Sequence, residues 1–448
     1  MEKRINRGAL SMVKLTLPLA FEQFFRILVS SVDTMMLSSY SNEAVAAVGL
    51  VSQYVFFLNL IFSVIGTGTS IVLAQYLGAE KSEKQVSDII KASYVMMVLV
   101  CIFITLLVIF GTAPLLSCYT LEESVRTFAW QYFVIYGGLF CIFNGINLLQ
   151  GAILRCYGYT KESMIVSIVA NIVNVIGNAL SLYGFFGLPI LGVPGVAASS
   201  GISMVVSCLM FSYYIRQKKD INFSLKKITK IEKESFKTIL KVGVPTAGES
   251  LSYNVAQIVI MAMISTLGTY AMSAQVYCQS IVRFVFAIAV SMGHATQIKA
   301  GYYVGSKQND LAYKNIFKYQ LVATACSMVA IVVVNVIKSP IVSIFTDIPE
   351  IHALVCDLLL YSIFIEFGRS LNLIYVGALK GAGNVKFPVF YGIVSMWIIM
   401  VLGSYIFGLK MGMGLIGFWL AIGAEETSRG VVMLFRWKSR RWQKYALV

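Results

Sequence analysis

The side chains in this 448-residue chain best suited to chemistry are a few carboxylates, amides and cations set inside long apolar runs. Asp33 stands in Val32-Asp33-Thr34, and Glu249 follows Pro245 at the start of another run. Neither has a basic residue at helical spacing within its own run. Such a carboxylate can exchange a proton or supply oxygen ligands to Na⁺, unless it sits at a helix end and meets headgroup water. Asn171, Asn174 and Asn178 interrupt a third apolar run, and Asn174 and Asn178 share one helical face. With Asp33 these two amides can line a cation or proton site. The alternative is interhelical hydrogen bonding, worth about 0.6 kcal/mol per contact.

A second set of charges has partners within reach. Glu22 with Arg26, Glu366 with Arg369, and Glu425 and Glu426 with Arg429 lie three or four residues apart, the spacing at which side chains meet on a helix. A charge at mid-bilayer costs at least about 2.5–3.5 kcal/mol, so these groups are either neutralised pairs that fix packing or the lining of a wet cavity. Asn372 belongs with the Glu366–Arg369 group. Arg283 is expected to be the counter-charge of Glu249, and His294 a packed hydrogen-bond donor. The eight cysteines lie scattered, without CxxC pairs, and read as small core residues. No cofactor is implied beyond H⁺ or Na⁺ as a coupling ion, and no metal beyond Na⁺ at Asp33. The 28 Phe, 24 Tyr, five Trp and 19 Met serve packing and interfacial belts, or a cavity suited to cationic amphipathic compounds.

These residues need elements to hold them. The chain is 58% hydrophobic and 13% charged with a mean hydropathy of +0.78, whereas soluble domains are about 25% charged. That excludes an ordinary soluble enzyme and implies an all-α polytopic membrane protein, since outer-membrane barrels carry short alternating segments instead. Twelve runs qualify as spans: about 15–39, 44–78, 92–117, 127–154, 163–185, 195–215, 242–266, 271–298, 319–337, 351–379, 387–409 and 413–435. The basic N-terminus leads into the first of them, which reads as a retained helix, not a cleaved leader. With both termini in the cytoplasm, 29 of the 36 basic residues fall on the cytoplasmic side, three outside and four within spans. The net charge of +15 therefore sets orientation towards anionic lipid and is no nucleic-acid signature.

The chain also resembles itself. At a shift of 227, residues 18–78 match residues 245–305 at 16 of 61 positions, among them Pro18/Pro245, Glu22/Glu249, Gly66/Gly293 and Gly78/Gly305. Asn147-Leu148 and Leu154-Arg155 align on Asn372-Leu373 and Leu379-Lys380 at a shift of 225. Two units of six spans have the same orientation, so a pseudo-two-fold axis along the membrane normal relates them. The expected organisation is an N-terminal lobe over 1–215, a basic linker over 216–240, a C-terminal lobe over 241–436 and a basic tail over 437–448.

From Pro18 to about Arg436 these residues resemble the multidrug and toxic compound extrusion (MATE) family of the multidrug/oligosaccharidyl-lipid/polysaccharide flippase superfamily. The resemblance is carried by Val32-Asp33-Thr34 with Ala44-Val-Ala-Ala-Val-Gly49, Gly66 through Gly78, Asn174 and Asn178, the Gly192–Gly195 turn and the doubled Leu-Arg/Lys loop. It implies two six-helix lobes around a central cavity, alternating access, and export of small organic or cationic compounds driven by cation entry. It further implies that Asp33, Asn174 and Asn178 form the first-lobe coupling site and that Glu249 is the second-lobe carboxylate. A monomer in the inner membrane, with no nucleic-acid partner, follows. Two features depart from the family. Its Leu-Arg-Gly-x-Gly-Asp loop reads Leu154-Arg-Cys-Tyr-Gly-Tyr159 and Leu379-Lys-Gly-Ala-Gly-Asn384, and Arg369 replaces the aspartate of span ten. The second departure favours a proton at Asp33. A lipid-linked oligosaccharide flippase and a membrane-embedded prenyl or acyl transferase are the alternatives. The transferase has neither a paired Asp-rich motif nor a nucleotide loop behind it.

Overall fold

A computed structural model describes residues 10–187, 189–221 and 231–448, and these are helical with no strand among them. In lipid every backbone polar group must be satisfied within its own segment, so long apolar runs fold as continuous helices. The first are α1 (Met12–Tyr40), α2 (Asn42–Gly78), α3 (Glu83–Ser117), α4 (Glu123–Tyr132), α5 (Cys141–Cys156), α6 (Thr160–Tyr183) and α7 (Gly192–Gln217). Next come α8 (Lys233–Ser265), α9 (Thr269–Gly305), α10 (Asn309–Val336), the short α11 (Lys338–Val342) and α12 (Pro349–Gly381). The chain ends with α13 (Lys386–Ser395), α14 (Leu402–Ser404) and α15 (Gly414–Lys438).

Among the described residues nine helices are long and apolar enough to cross a bilayer, counting Lys386–Lys410 as one, or ten if the bent pair α4–α5 is one span. Two more expected spans, α8 and α15, are long enough but too polar, carrying Glu249 and Asn254 in one case and Glu425, Glu426 and Arg429 in the other. The outward apolar surface fits lipid: Phe110, Leu321, Val336 and Phe390 are 66–79% exposed. Several helices overrun the apolar stretches. α3 begins at Glu83 instead of near 92, capped by Ser82, whose hydroxyl accepts from the Gln85 N–H, and α8 begins at Lys233, inside the stretch read as linker.

The chain divides into two compact units. The first takes Leu17–Leu73 and Lys81–Gly243. Its helices α6 and α7 pack closely, and α5 packs on both α3 and α7. The stretch between Glu162 and Arg216 carries no charged residue, and the α6–α7 connection lies where turn residues break it. Gly184 ends α6 in the left-handed region at φ 62°, which a side chain would disfavour. After α4 comes a π-helical turn at Phe133–Leu139, and from its end the helix bends by 50° into α5. The Thr105 hydroxyl donates to the Gly138 carbonyl there at 3.0 Å, satisfying a group in the distorted turn.

The second unit takes Val244–Val448, the end of α2 at Ala74–Glu80, and the described residues 10–16. Its centre is α12, packed along α9 and α15. Two further π-helical turns, Met396–Val401 and Tyr405–Lys410, flank α14. Fully buried Gln75 ties this unit together: its Nε2 donates to the Gly381 carbonyl at 2.7 Å and its Oε1 accepts from the Leu447 N–H at 2.8 Å. Alongside, α9 approaches α2 so closely that a Cβ on Gly305 would lie 2.1 Å from the Gln75 carbonyl oxygen. Backbone cannot yield as a side chain can. Gly305→Ala is expected to lower stability by about 1–3 kcal/mol, read as a lower melting midpoint of the purified protein; an unchanged midpoint would show that the helices separate freely here.

Candidate functional site

In the first unit Asp33 sits half-buried on α1, about 16 Å along the helix from Glu22. Asn178 of α6, 2% exposed, donates from Nδ2 to Asp33 Oδ1 at 2.9 Å and lies 3.5 Å from Asn174 Oδ1. Asn174 in turn donates to the Ser200 hydroxyl of α7 at 2.9 Å. The helical spacing that puts Asn174 and Asn178 on one face therefore builds a chain of polar groups linking α1, α6 and α7. The Asn178 Oδ1 is buried without a hydrogen-bond partner, an acceptor still available to a cation or a proton-bearing group.

Tyr132 and Tyr136 complete this neighbourhood, and sequence reasoning missed them. They stack at 5.5 Å, both are close enough to Asp33 to feel its charge, and Tyr132 is within hydrogen-bonding reach of Ser200. They are carried by the end of α4 and the π-helical turn after it, a distortion that often marks functional positions. A span read only as apolar gives no sign of that turn. Tyr132 also packs against an apolar cluster built on Leu37, Ala44, Leu182, Val193 and Val196.

Glu22 occupies a separate place in the same unit. It pairs with Arg26 at 2.9 Å, as the spacing on α1 predicts, and Arg155 of α5 lies 3.9 Å away. The Ser163 hydroxyl is 3.4 Å from Glu22 Oε2 and accepts from Arg155 at 3.1 Å.

In the second unit, Glu249 is not the unpaired carboxylate that its own helix suggests, nor is Arg283 its counter-charge. Lys380 of α12 donates to Glu249 Oε2 at 2.6 Å, and Arg429 of α15 donates to Oε1. Partners on neighbouring helices are invisible to a search along one helix. The Arg155 and Lys380 positions align in the internal repeat, as do Glu22 and Glu249, so each unit joins a carboxylate near its helix start to a cation from the doubled Leu-Arg/Lys loop. That alignment was the available signal for Lys380.

The other buried carboxylates of this unit, Glu366, Glu425 and Glu426, meet their partners across α12, α13 and α15. Arg369 donates to Glu366 at 2.7 Å on its own helix and to Glu426 of α15 at 3.3 Å, and Asn372 donates to Glu426 Oε2 at 2.8 Å. Arg429 stays 3.6 Å from Glu425, whose Oε1 also accepts from the Ser395 hydroxyl at 2.7 Å. Glu426 therefore turns to α12 and not to Arg429, because the crossing of α12 and α15 brings Arg369 and Asn372 to it. Glu366, Glu425 and Glu426 are 0%, 1% and 7% exposed, and Glu366 Oε2 has no hydrogen-bond partner. Four carboxylates here face three cations, leaving one negative charge to be met by a proton or a cation.

The comparisons with known proteins agree with this architecture. The MatE family pattern matches residues 18–180 and again 245–406, two starts separated by the 227 residues of the internal repeat. An uncharacterized transporter, YisQ, of Bacillus subtilis is 35% identical over 96% of this chain and 94% of its own length. A probable multidrug resistance protein, NorM, of Thermotoga maritima is 24% identical over 98% and 94%. Among solved structures, a MOP superfamily transporter from Pyrococcus furiosus, described as having a binding pocket of reversed polarity, superposes with a TM-score of 0.88 at 19% identity, over 96% of this chain and 95% of that one. An outward-facing multidrug resistance MATE transporter gives 0.87 at 20% identity over the same shares. The repeated family match, the multi-span helices and the near-full-length relative together place this chain in the MatE family: it is a MATE transporter of the membrane.

Proposed function

We propose that the protein is a cation-coupled antiporter that exports small organic molecules by alternating access, with H⁺ or Na⁺ exchanged at Asp33, Asn174 and Asn178. The observation that carries this reading is the Asp33–Asn178 hydrogen bond within an apolar helical unit. Protonation removes the charge of Asp33, weakens the charge-assisted hydrogen bond from Asn178 and adds one O–H donor, which changes the balance of the contact between α1 and α6 without abolishing it. Na⁺ would instead draw in Asp33 Oδ1 and the unpartnered Asn178 Oδ1 as ligands. Either event interacts differently with two arrangements of the helices, the condition for any ligand-driven shift between states.

The second-unit network, with its one uncompensated negative charge, offers a further place for a proton, while the ion pairs of Glu249 favour a fixed role for that residue. Twelve spans, cytoplasmic termini, insertion in the inner membrane as a monomer and small-molecule cargo belong to the same reading, supported by the excess of basic residues in the expected cytoplasmic loops and by the NorM relatives. The test is ethidium accumulation in a bacterial strain stripped of its own efflux pumps. Cells expressing the protein are expected to accumulate about tenfold less dye, with accumulation restored by a protonophore or by removal of Na⁺. Equal accumulation with and without expression, for ethidium and a panel of other organic cations, acids and zwitterions, would refute the export reading.

A further inference from the structure

The second unit holds a cavity of about 180 Å³ that borders the charge network at Arg369. One wall is a stripe of α9 in which Gln275, Gln279 and Arg283 follow at every fourth residue, with Phe286 one turn on. The facing wall includes Arg369, whose guanidinium lies 4.8 Å over the Phe286 ring, and Tyr253. The Gln275 Oε1 already accepts from the Trp419 indole N–H at 2.6 Å, so this 2%-exposed amide has its NH₂ left to offer. Arg369 is tied to Glu366 and Glu426, but Arg283 is exposed and has no carboxylate within ion-pair distance among the described residues. No carboxylate lines the cavity among those residues either.

Arg283 lies about 21 Å along α9 from Thr269, well inside a helix apolar enough to span the membrane. An unpaired cation there costs at least about 2.5–3.5 kcal/mol unless it faces water or a ligand. The fold does not demand it. The repeat aligns Gln275, Gln279 and Arg283 on Val48, Ser52 and Phe56, so the corresponding helix of the other unit forms with no cation and no amide at these positions. The donors are thus an addition to the repeated scaffold, and they converge on one space.

We infer that this cavity binds the anionic head group of an exported amphipathic compound, with Arg283 pairing with a carboxylate and Gln275 and Gln279 donating to its oxygens. The size suits a head group and not a whole ligand, since pockets for drug-sized molecules span about 300–1,000 Å³. The apolar body of the ligand then extends beyond the cavity. The inference rests on the export reading and adds organic acids and zwitterions to the organic cations among its substrates.

The experiment is direct binding to the purified full-length protein in detergent, read by quenching of tryptophan fluorescence, with Trp419 on the cavity wall. The probes are 7-methoxycoumarin-3-carboxylate and its uncharged methyl ester. Arg283→Gln is expected to raise the Kd of the carboxylate about tenfold, or about 1.4 kcal/mol, and to leave the ester within about twofold. Equal weakening of both probes, or no weakening of the carboxylate, overturns the proposal. Should Arg283→Gln fail to give a monodisperse protein, Gln279→Leu tests the same point, with an expected rise of about threefold for the carboxylate alone. Displacement of the carboxylate by phosphatidylglycerol but not by phosphatidylcholine would assign the cavity to a lipid head group and overturn the substrate assignment. Flux separates the two readings: charge-selective binding without transport of the dye in proteoliposomes would count against export, not against the anion site.

Discussion

Replacing Glu249 with alanine is expected to cost about 3–5 kcal/mol, a large part of the roughly 5–15 kcal/mol by which folded domains are stable. Glu249 is 6% exposed, and it is the ion-pair partner of Lys380 and of Arg429, themselves 9% and 6% exposed. Removing the acid strands two buried cations in a low-dielectric interior, where the loss far exceeds the net worth of the pair. Arg429 keeps a weaker contact with Glu425 at 3.6 Å, so most of the cost falls on Lys380. Heating the purified protein and following the monodisperse peak by size exclusion reads the effect. Combining Glu249→Leu with Lys380→Met should recover part of the loss, because well-packed apolar groups often replace a buried pair without penalty. A Glu249→Ala protein that melts like wild type would show that water reaches the network.

Asp33→Asn should leave the fold intact and strip out coupling. The amide oxygen of asparagine accepts the Asn178 N–H as the carboxylate does, at the 2.9 Å seen here, so the α1–α6 contact survives. What disappears is the charge that a proton or Na⁺ would neutralise, and with it the differential interaction that drives the transition. Gradient-driven flux is expected to fall by about tenfold or more, equivalent to about 1.4 kcal/mol or more, with a melting midpoint close to wild type. A fall in flux that merely tracks a fall in stability would assign Asp33 to structure alone.

Much of the architecture was legible because bilayer physics imposes long apolar helices, and the composition declares them. The internal repeat anticipated the two segments of the family match, and its Glu22/Glu249 and Arg155/Lys380 alignments foreshadowed two ion pairs that no single helix contains. Asp33, Asn174 and Asn178 were recoverable for the same reason: polar groups in an apolar run are conspicuous, and their spacing puts the amides on one face. Cross-helix choices were not legible. Helical spacing offered both Glu425 and Glu426 to Arg429, and only the crossing of α12 and α15 sends Glu426 to Arg369 and Asn372. Tyr132 and Tyr136 escaped because a π-helical turn has no composition of its own. Arg283 was sought as a partner for Glu249 on charge alone, and the packing gives that place to Arg429 and leaves Arg283 facing a cavity.

Coupled export through Asp33 is tested most directly in proteoliposomes, with ΔpH and a Na⁺ gradient imposed one at a time on wild type and Asp33→Asn while ethidium transport is followed. The expected result is transport against the dye gradient by wild type under at least one of the two, and by the variant under neither. Gradient-driven transport at the wild-type rate in Asp33→Asn would contradict it.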